Sequence, residues 1–271
     1  KQKSLQAGVR NEFTIGKSKL NILYNYNNID RLYTDDSVKS RNGYDTYSSG
    51  GYKAKEHFID AFAHMPLNKI VKLTVGADIR FTSTEQLYIS LPAWSPPVPL
   101  DTNMNQQSLY AAVSINTKGG FNLEAGSRVN FHSEYGSHEV FNINPSYLIN
   151  KKIKVFANLS SAYRTPSLYQ LFSEYGNKYL KPEAAITAEG GVQYYSSDNN
   201  FTGRAVGFSR SVKDVIFFYY NSSTFTSQYI NQDKQKDYGF ELEASYKVIK
   251  NVTAKAFYTY VSGEITTKKA G

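Results

Sequence analysis

The chain has 271 residues, a formal charge of +8, 15% aromatic residues, 23 Tyr and no Cys. The absence of Cys excludes a disulfide scaffold and a thiolate metal site, and no apolar run approaches a transmembrane helix, the longest being Val215 to Tyr220. Lys and Arg are scattered through strand-like and turn-like segments. That argues against a nucleic-acid footprint and for a solvated surface, or one facing anionic lipid headgroups.

In chain order, alternation of period two dominates. Leu20, Ile22, Tyr24 and Tyr26 begin it. Val71, Leu73, Val75, Ala77, Ile79 and Phe81 form one face of the next clear strand, opposed by Lys72, Thr74, Gly76, Asp78, Arg80 and Thr82. Leu109, Ala111, Val113 and Ile115 follow. Phe121, Leu123, Ala125, Ser127, Val129 and Phe131 then oppose Asn122, Glu124, Gly126, Arg128, Asn130 and His132. Phe240, Leu242, Ala244 and Tyr246 mark a late strand, and Val252 to Glu264 the last. About twelve strands are expected in all.

The connections alternate in length. Short turns are expected near Gly16-Lys17, Leu67 to Lys69, Lys118 to Gly120, Asn150 to Lys152, Asp198 to Asn200 and Ile249 to Asn251. Longer loops are expected over Asp35 to Gly51, Ser90 to Asn105, Ser133 to Ser137, Arg164 to Glu183 and Asn221 to Lys234. Such one-sidedness is the pattern of an outer-membrane barrel. Phe121 and Phe131 stand roughly 33 Å apart along their strand, or roughly 23–25 Å along the membrane normal after a tilt of 40–45°. That matches the apolar band between aromatic girdles. Glu124, Arg128 and His132 on the other face would be very costly in a dry core and suit a wet or polar-plugged lumen. The predicted fold is therefore all-β: an antiparallel up-and-down transmembrane β-barrel, in part. Leu73, Val75, Leu123 and Val129 are expected to face lipid, and Asp78, Arg80, Glu124 and Arg128 the lumen.

Catalytic signals are weak. Four His include no HExxH. His132 and Ser133 are adjacent strand residues and point to opposite faces, which places them poorly for nucleophilic chemistry. No catalytic residue is assigned. Asp35 and Asp36, with Asp30 and Asp45, could bind calcium through carboxylate oxygens; the alternative is a solvated acidic loop tip. No cofactor is otherwise required. Trp94 lies in a loop with Pro96, Pro97 and Pro99, and Tyr88 stands at its base. These aromatics are ligand-binding candidates, or Trp94 is an interfacial girdle residue.

Ala162 to Gly191 joins two strand-like runs through Pro166, Gly176 and Pro182, which break regular structure. Ser167 can cap one or two helical turns. Long loops on a rigid scaffold usually carry function. Arg164-x-Pro166-Ser167-Leu168-Tyr169, Tyr175-Gly176-Asn177, Leu180-Lys181-Pro182-Glu183 and Glu189-x-Gly191 together resemble the barrel signature of TonB-dependent outer-membrane receptors. The LYQLFSEYGN version is similar to the cobalamin receptors within that family.

The resemblance implies a monomeric barrel in the bacterial outer membrane, with an N-terminal plug through which TonB delivers energy for import of a scarce ligand. Cobalamin or another corrinoid is the first expectation, and a siderophore or other chelate the alternative. A passive porin or a barrel enzyme is the reading from another class. The plug and terminal strands are expected to lie outside this stretch, leaving an internal piece of roughly half a barrel. Its outer edges, Lys1 to Phe13 and Val252 to Glu264, are then expected to be unpaired. Arg164 is expected to clamp the loop base to Glu189, with Glu183 as the competing partner and Pro166 and Pro182 fixing entry and exit. Tyr169, Phe172, Tyr175 and Asn177 are expected to pack above the clamp or meet ligand.

Overall fold

A computed structural model of the chain describes residues 1–35, 47–91 and 99–267. They form twelve strands and one short helix: β1 (Gln2–Ile15), β2 (Ser18–Asp35), β3 (Tyr47–Pro66), β4 (Val71–Leu91), β5 (Leu100–Asn116), β6 (Phe121–His132), β7 (Gly136–Ile149), β8 (Ile153–Arg164), α1 (Leu168–Phe172), β9 (Glu183–Tyr195), β10 (Phe201–Asn221), β11 (Thr226–Ile249) and β12 (Val252–Thr266). Every strand pairs antiparallel with its sequence neighbours in one sheet, ordered β1 to β12. The sheet is open: β1 and β12 are its edges.

The register keeps each alternating set on one face. Leu20, Ala63, Val75, Ala111, Ser127 and Phe141 follow one another across six strands. A row of opposite parity three positions along runs Asp60, Asp78, Ser108, Asn130 and His138. The first face stays open: Leu109, Phe121, Phe131, Val155 and Leu159 are all exposed. The second face holds the buried polar side chains, among them Asn21, Asp78, Ser108 and Asn130.

Two observations make the polar face concave. Arg128 on β6 reaches past β5 to Asp78 on β4, Nη2 to Oδ2 2.5 Å, and Tyr110 on β5 reaches past β4 to Asp60 on β3 at 2.7 Å. Further up, Met104 of β5 and Ile216 of β10 pack against one cluster with Leu171 and Leu180. At roughly 4.8 Å per strand those elements would lie about 24 Å apart on a flat sheet. The sheet curls around the connection between β8 and β9. Asp78 and Arg128 therefore face the lumen, and Val75 and Val129 the lipid side, as their alternation predicts.

The turns opposite that connection are tight. Gly120 has φ +91°, and a Cβ there would sit 2.6 Å from the Leu148 carbonyl oxygen, so the β5–β6 turn needs glycine. Asn150 and Lys151 both have positive φ, the conformation that matches strand twist in a hairpin. In the β9–β10 turn the Ser196 hydroxyl and the Asn200 backbone and side-chain amides all donate to Asp198. Those bonds hold the Asp198 carboxyl below its ordinary pKa.

Four expected loops are shorter than their sequence implies, since β3 already begins at Tyr47 and β5 at Leu100. The β10–β11 connection spans 222–225, and β6–β7 spans 133–135. The strands run on instead: β10 has 21 residues and β11 has 24, where ~9–11 cross a membrane. Aromatics Phe217 to Tyr220 favour extended backbone and pair with 227–230, so what reads as loop is a hairpin that extends the sheet.

Leu123 lies two positions from the girdle residue Phe121 on β6, near one interface, while Ala125 sits closer to mid-band. In a receptor containing this chain, Ala125→Arg is expected to destabilise the barrel by ~2–4 kcal/mol and Leu123→Arg by about 1 kcal/mol or less. Equilibrium unfolding in lipid bilayers checks the order. The 271-residue chain alone should associate in plain buffer, since its edges and apolar face are open. A monodisperse peak in detergent-free size exclusion would contradict this.

Candidate functional site

The 165–182 connection forms the candidate site. Pro166, almost fully buried, fixes its entry. Ser167 caps α1: its hydroxyl accepts from the Gln170 amide, and the Gln170 side chain accepts from the Ser167 amide. This reciprocal box lets five residues hold a helical turn. Gly176 then packs on the helix, where a Cβ would lie 2.6 Å from the Leu171 carbonyl oxygen.

β11 holds the loop edge-on. The Tyr229 amide donates to the Tyr175 carbonyl at 3.0 Å, and Asn177 Nδ2 donates to the Tyr229 carbonyl at 3.1 Å. Asn231 accepts from the Lys181 amide at 2.7 Å and donates to the carbonyls of Lys181 and Asp214 at 2.9 and 2.6 Å. Leu171 and Leu180 bury against Ile216 beneath these bonds.

Arg164 pairs with Glu183, Nε to Oε2 2.6 Å, and the second Glu183 oxygen accepts from the Ile216 amide at 2.7 Å. The two residues are direct register partners. Glu189 stands opposite Asn158, six positions down the ladder from Arg164 and so about 20 Å away along the strand. The clamp therefore uses Glu183, not Glu189. Glu183 is eleven residues from Tyr194, above the apolar band. Burial opposes its ionisation, but the Arg164 guanidinium and the Ile216 amide more than offset this and keep its pKa below the ordinary value.

An aromatic deck lies above. Tyr169 meets Tyr229 edge-on at 6.2 Å, Tyr175 meets Phe218 at 5.5 Å, and Phe218 meets Tyr229 at 5.2 Å. Burial raises the pKa of Tyr169 and of Tyr175, so both are neutral donors at physiological pH. Phe172 packs into the apolar cluster under Lys178, whose Nζ stands 5.6 Å from the ring centre. Asn177 receives the Tyr179 amide while holding Tyr229, so both ends of its side chain fasten the loop. Tyr179 is 92% exposed and Phe225 80%. Sequence reasoning missed both, along with Tyr229 and Asn231; the only signal was the aromatic run 217–220.

The other expected residues separate. Tyr88 lies on the luminal parity of β4, opposite Gly50. Pro182 leads into β9. Trp94, Asp36 and Asp45 lie outside the described residues. Asp30 and Asp35 are on β2 five positions apart, hence on opposite faces and roughly 16 Å from each other. Asp30 instead lies between Lys3 and Lys53 in register. These two carboxylates cannot share a calcium ion. Among the described residues no group of three or more His, Cys, Asp or Glu is arranged to hold a metal.

Arg164→Ala should loosen the loop to protease while leaving the barrel resistant to denaturation in detergent; with Arg164 half-exposed, the pair contributes about 1 kcal/mol or less. Because the folded pKa of Glu183 is depressed, its contribution is complete at neutral pH and is lost as pH falls through that lowered value. Loop cleavage in the wild type should therefore rise in acid, and that rise should vanish in Arg164→Ala.

The family described as TonB dependent receptor-like, beta-barrel, matches residues 1–271. Solved structures of similar shape include the copper transporter OprC, at TM-score 0.81 and 16% identity, covering 97% of this chain and 46% of that one. The ferric yersiniabactin uptake receptor FyuA from Yersinia pestis matches at 0.77 and 14%, covering 98% and 43%. The pyoverdine outer membrane receptor FpvA from Pseudomonas aeruginosa PAO1 matches at 0.71 and 16%, covering 99% and 45%. The chain thus spans less than half the length of these proteins. The family match, the ordered antiparallel strands and the apolar outer face agree: the chain belongs to the TonB-dependent receptor β-barrel family, whose members are transporters and receptors.

Proposed function

We propose that this chain is part of the wall of a TonB-dependent importer in the bacterial outer membrane, and that the 165–182 connection meets the incoming ligand at the outer rim. The observation that carries this is the inward fold of that connection. Its aromatic deck stands over a concave polar face, where a ligand descending into the barrel would pass. The plug domain contributed by the rest of the receptor would fill that concavity and contact TonB. The intact receptor works as a monomeric barrel, and import needs no cofactor held in the wall.

The ligand class we favour is a corrinoid, on the likeness of Leu168 to Asn177 to the cobalamin receptors. Tyr169 and Tyr179 offer flat apolar surface with a hydroxyl donor at its edge, suited to a large macrocycle. A ferric siderophore is the second reading, supported by the shape shared with the yersiniabactin and pyoverdine receptors. Both are organic metal chelates, and both fit a polar rim with exposed aromatics.

Titration of the intact receptor with cyanocobalamin and with ferric siderophores separates the two. Corrinoid binding is expected, and Tyr169→Ala with Tyr179→Ala should weaken it about tenfold or more. Binding of a siderophore alone selects the second reading. If neither class binds a correctly folded receptor, the import reading of this rim fails.

A further inference from the structure

We infer that Lys213, Lys234 and Lys236 form a docking site on the outer wall for the phosphate-bearing headgroup of an outer-leaflet lipid. The inference rests on the outer-membrane reading and adds a second, lateral ligand to it.

Lys213 of β10 and Lys234 of β11 are direct register partners. Lys236 is two positions further along β11 on the same face, opposite Ser211 and Glu264. All three share the parity of Ala205, Leu242 and Tyr238, the lipid-facing set. Like charges directly opposite in a ladder repel. Here the wall relieves the repulsion only through Glu264: among the described residues none of the three lysines closes an ion pair. Glu264 stands across from Lys236 without closing on it. Asp233, beside Lys234 in sequence, has the luminal parity, and Asp214 at φ +52° departs from the regular alternation.

The corresponding row on the other side of the sheet differs. There Lys3, Asp30, Lys53 and Glu85 alternate in sign across β1 to β4, and Lys53 pairs with Glu85 at 3.5 Å. That row neutralises itself; the β10–β11 row does not.

Height fixes the occupant. On β11 the lipid-facing Tyr246 marks the inner girdle, and Lys236 lies ten residues beyond it. That is roughly 33 Å along the strand and roughly 23–25 Å along the normal, one full apolar band. Tyr238, exposed just below, occupies the outer girdle position. The lysine ammoniums therefore stand at headgroup level, their stems along the wall. Each points away from the lumen, so a ligand for import does not meet them. Phosphates on a lipid whose chains lie against Leu242, Phe240 and Tyr258 would be held by three cations from one side.

The test uses the intact receptor in neutral detergent, with bis-phosphorylated lipid A as probe and native mass spectrometry as readout. Wild type should retain lipid A. Lys213→Gln/Lys234→Gln/Lys236→Gln should weaken retention roughly a hundredfold, and the triple Arg variant should keep it. Lys53→Gln with Lys55→Gln should change nothing. Lipid A stripped of phosphate should not be retained, and neither should inorganic phosphate at the same concentration. Equal retention by the Gln variant, or of the stripped lipid, overturns the proposal; retention of inorganic phosphate alone reassigns the site to a free anion and also overturns it. Resistance of each variant to denaturation until heated, and its uptake-ligand binding, report on the barrel and import readings independently of this site.

Discussion

In hydrocarbon no water is available to satisfy backbone amides and carbonyls, so a chain that crosses with strands must pair them along its whole length. That requirement shapes everything else in this molecule. It fixes the unbroken order β1 to β12, because only sequence-adjacent antiparallel strands joined by short turns give a continuous ladder without crossovers. Once the ladder is set, side-chain direction is set too. A residue of one parity is committed to lipid, and its neighbour to the lumen. A slip of one position would put Asp78 and Arg128 into hydrocarbon, which makes the register self-enforcing.

The distribution of burial is inverted as a result. In a water-soluble sandwich the buried side chains would be apolar. Here the buried residues within the sheet include Asn21, Asp78, Ser108 and Asn130, while Leu109, Phe131 and Val155 lie open. A buried apolar cluster lies at the rim, where Leu171 and Leu180 meet Ile216, and Val206 is buried within β10. Polar residues can be buried on the concave face because they satisfy one another across strands. Arg128 alone serves Asp78, Ser108 and Asn130.

The strands, their number and the two faces were legible in the sequence because period-two alternation records directly which face meets lipid. The helix at Leu168 was legible through Ser167 and Gln170, whose capping is local. The clamp partner was not. Glu183 and Glu189 share a parity, and choosing between them needs the β8–β9 register, which depends on where the ladder restarts after an 18-residue connection. The reach of β10 and β11 was also hidden, since Thr, Ser, Gln and Asn between 221 and 234 read as loop by composition. Only their pairing with the aromatic run 217–220 makes them strand. Asp30 and Asp35 are separated for a related reason: closeness in sequence along a strand spreads side chains over two faces.

β11 shows why the length of a strand and its function are coupled here. Its lower part, from Tyr246 to Tyr238, crosses the bilayer and has no freedom beyond keeping lipid and lumen apart. Its upper part lies above the apolar band, where water can satisfy backbone groups, yet it remains extended as far as Thr226. That extension is needed because the 165–182 connection has too small a core to hold itself. It takes backbone partners from Tyr229 and side-chain partners from Asn231. A shorter β11 would leave α1 without an edge to lean on and Tyr169 without the Tyr229 ring. From three residues below Asn231 the period-two rule operates: Lys234 and Lys236 lie on the outer face, while Gln235 and Asp237 bond inward toward Arg210. One strand thereby fastens the 165–182 connection, braces the polar face and carries the lysine row, and alternation keeps those tasks from interfering.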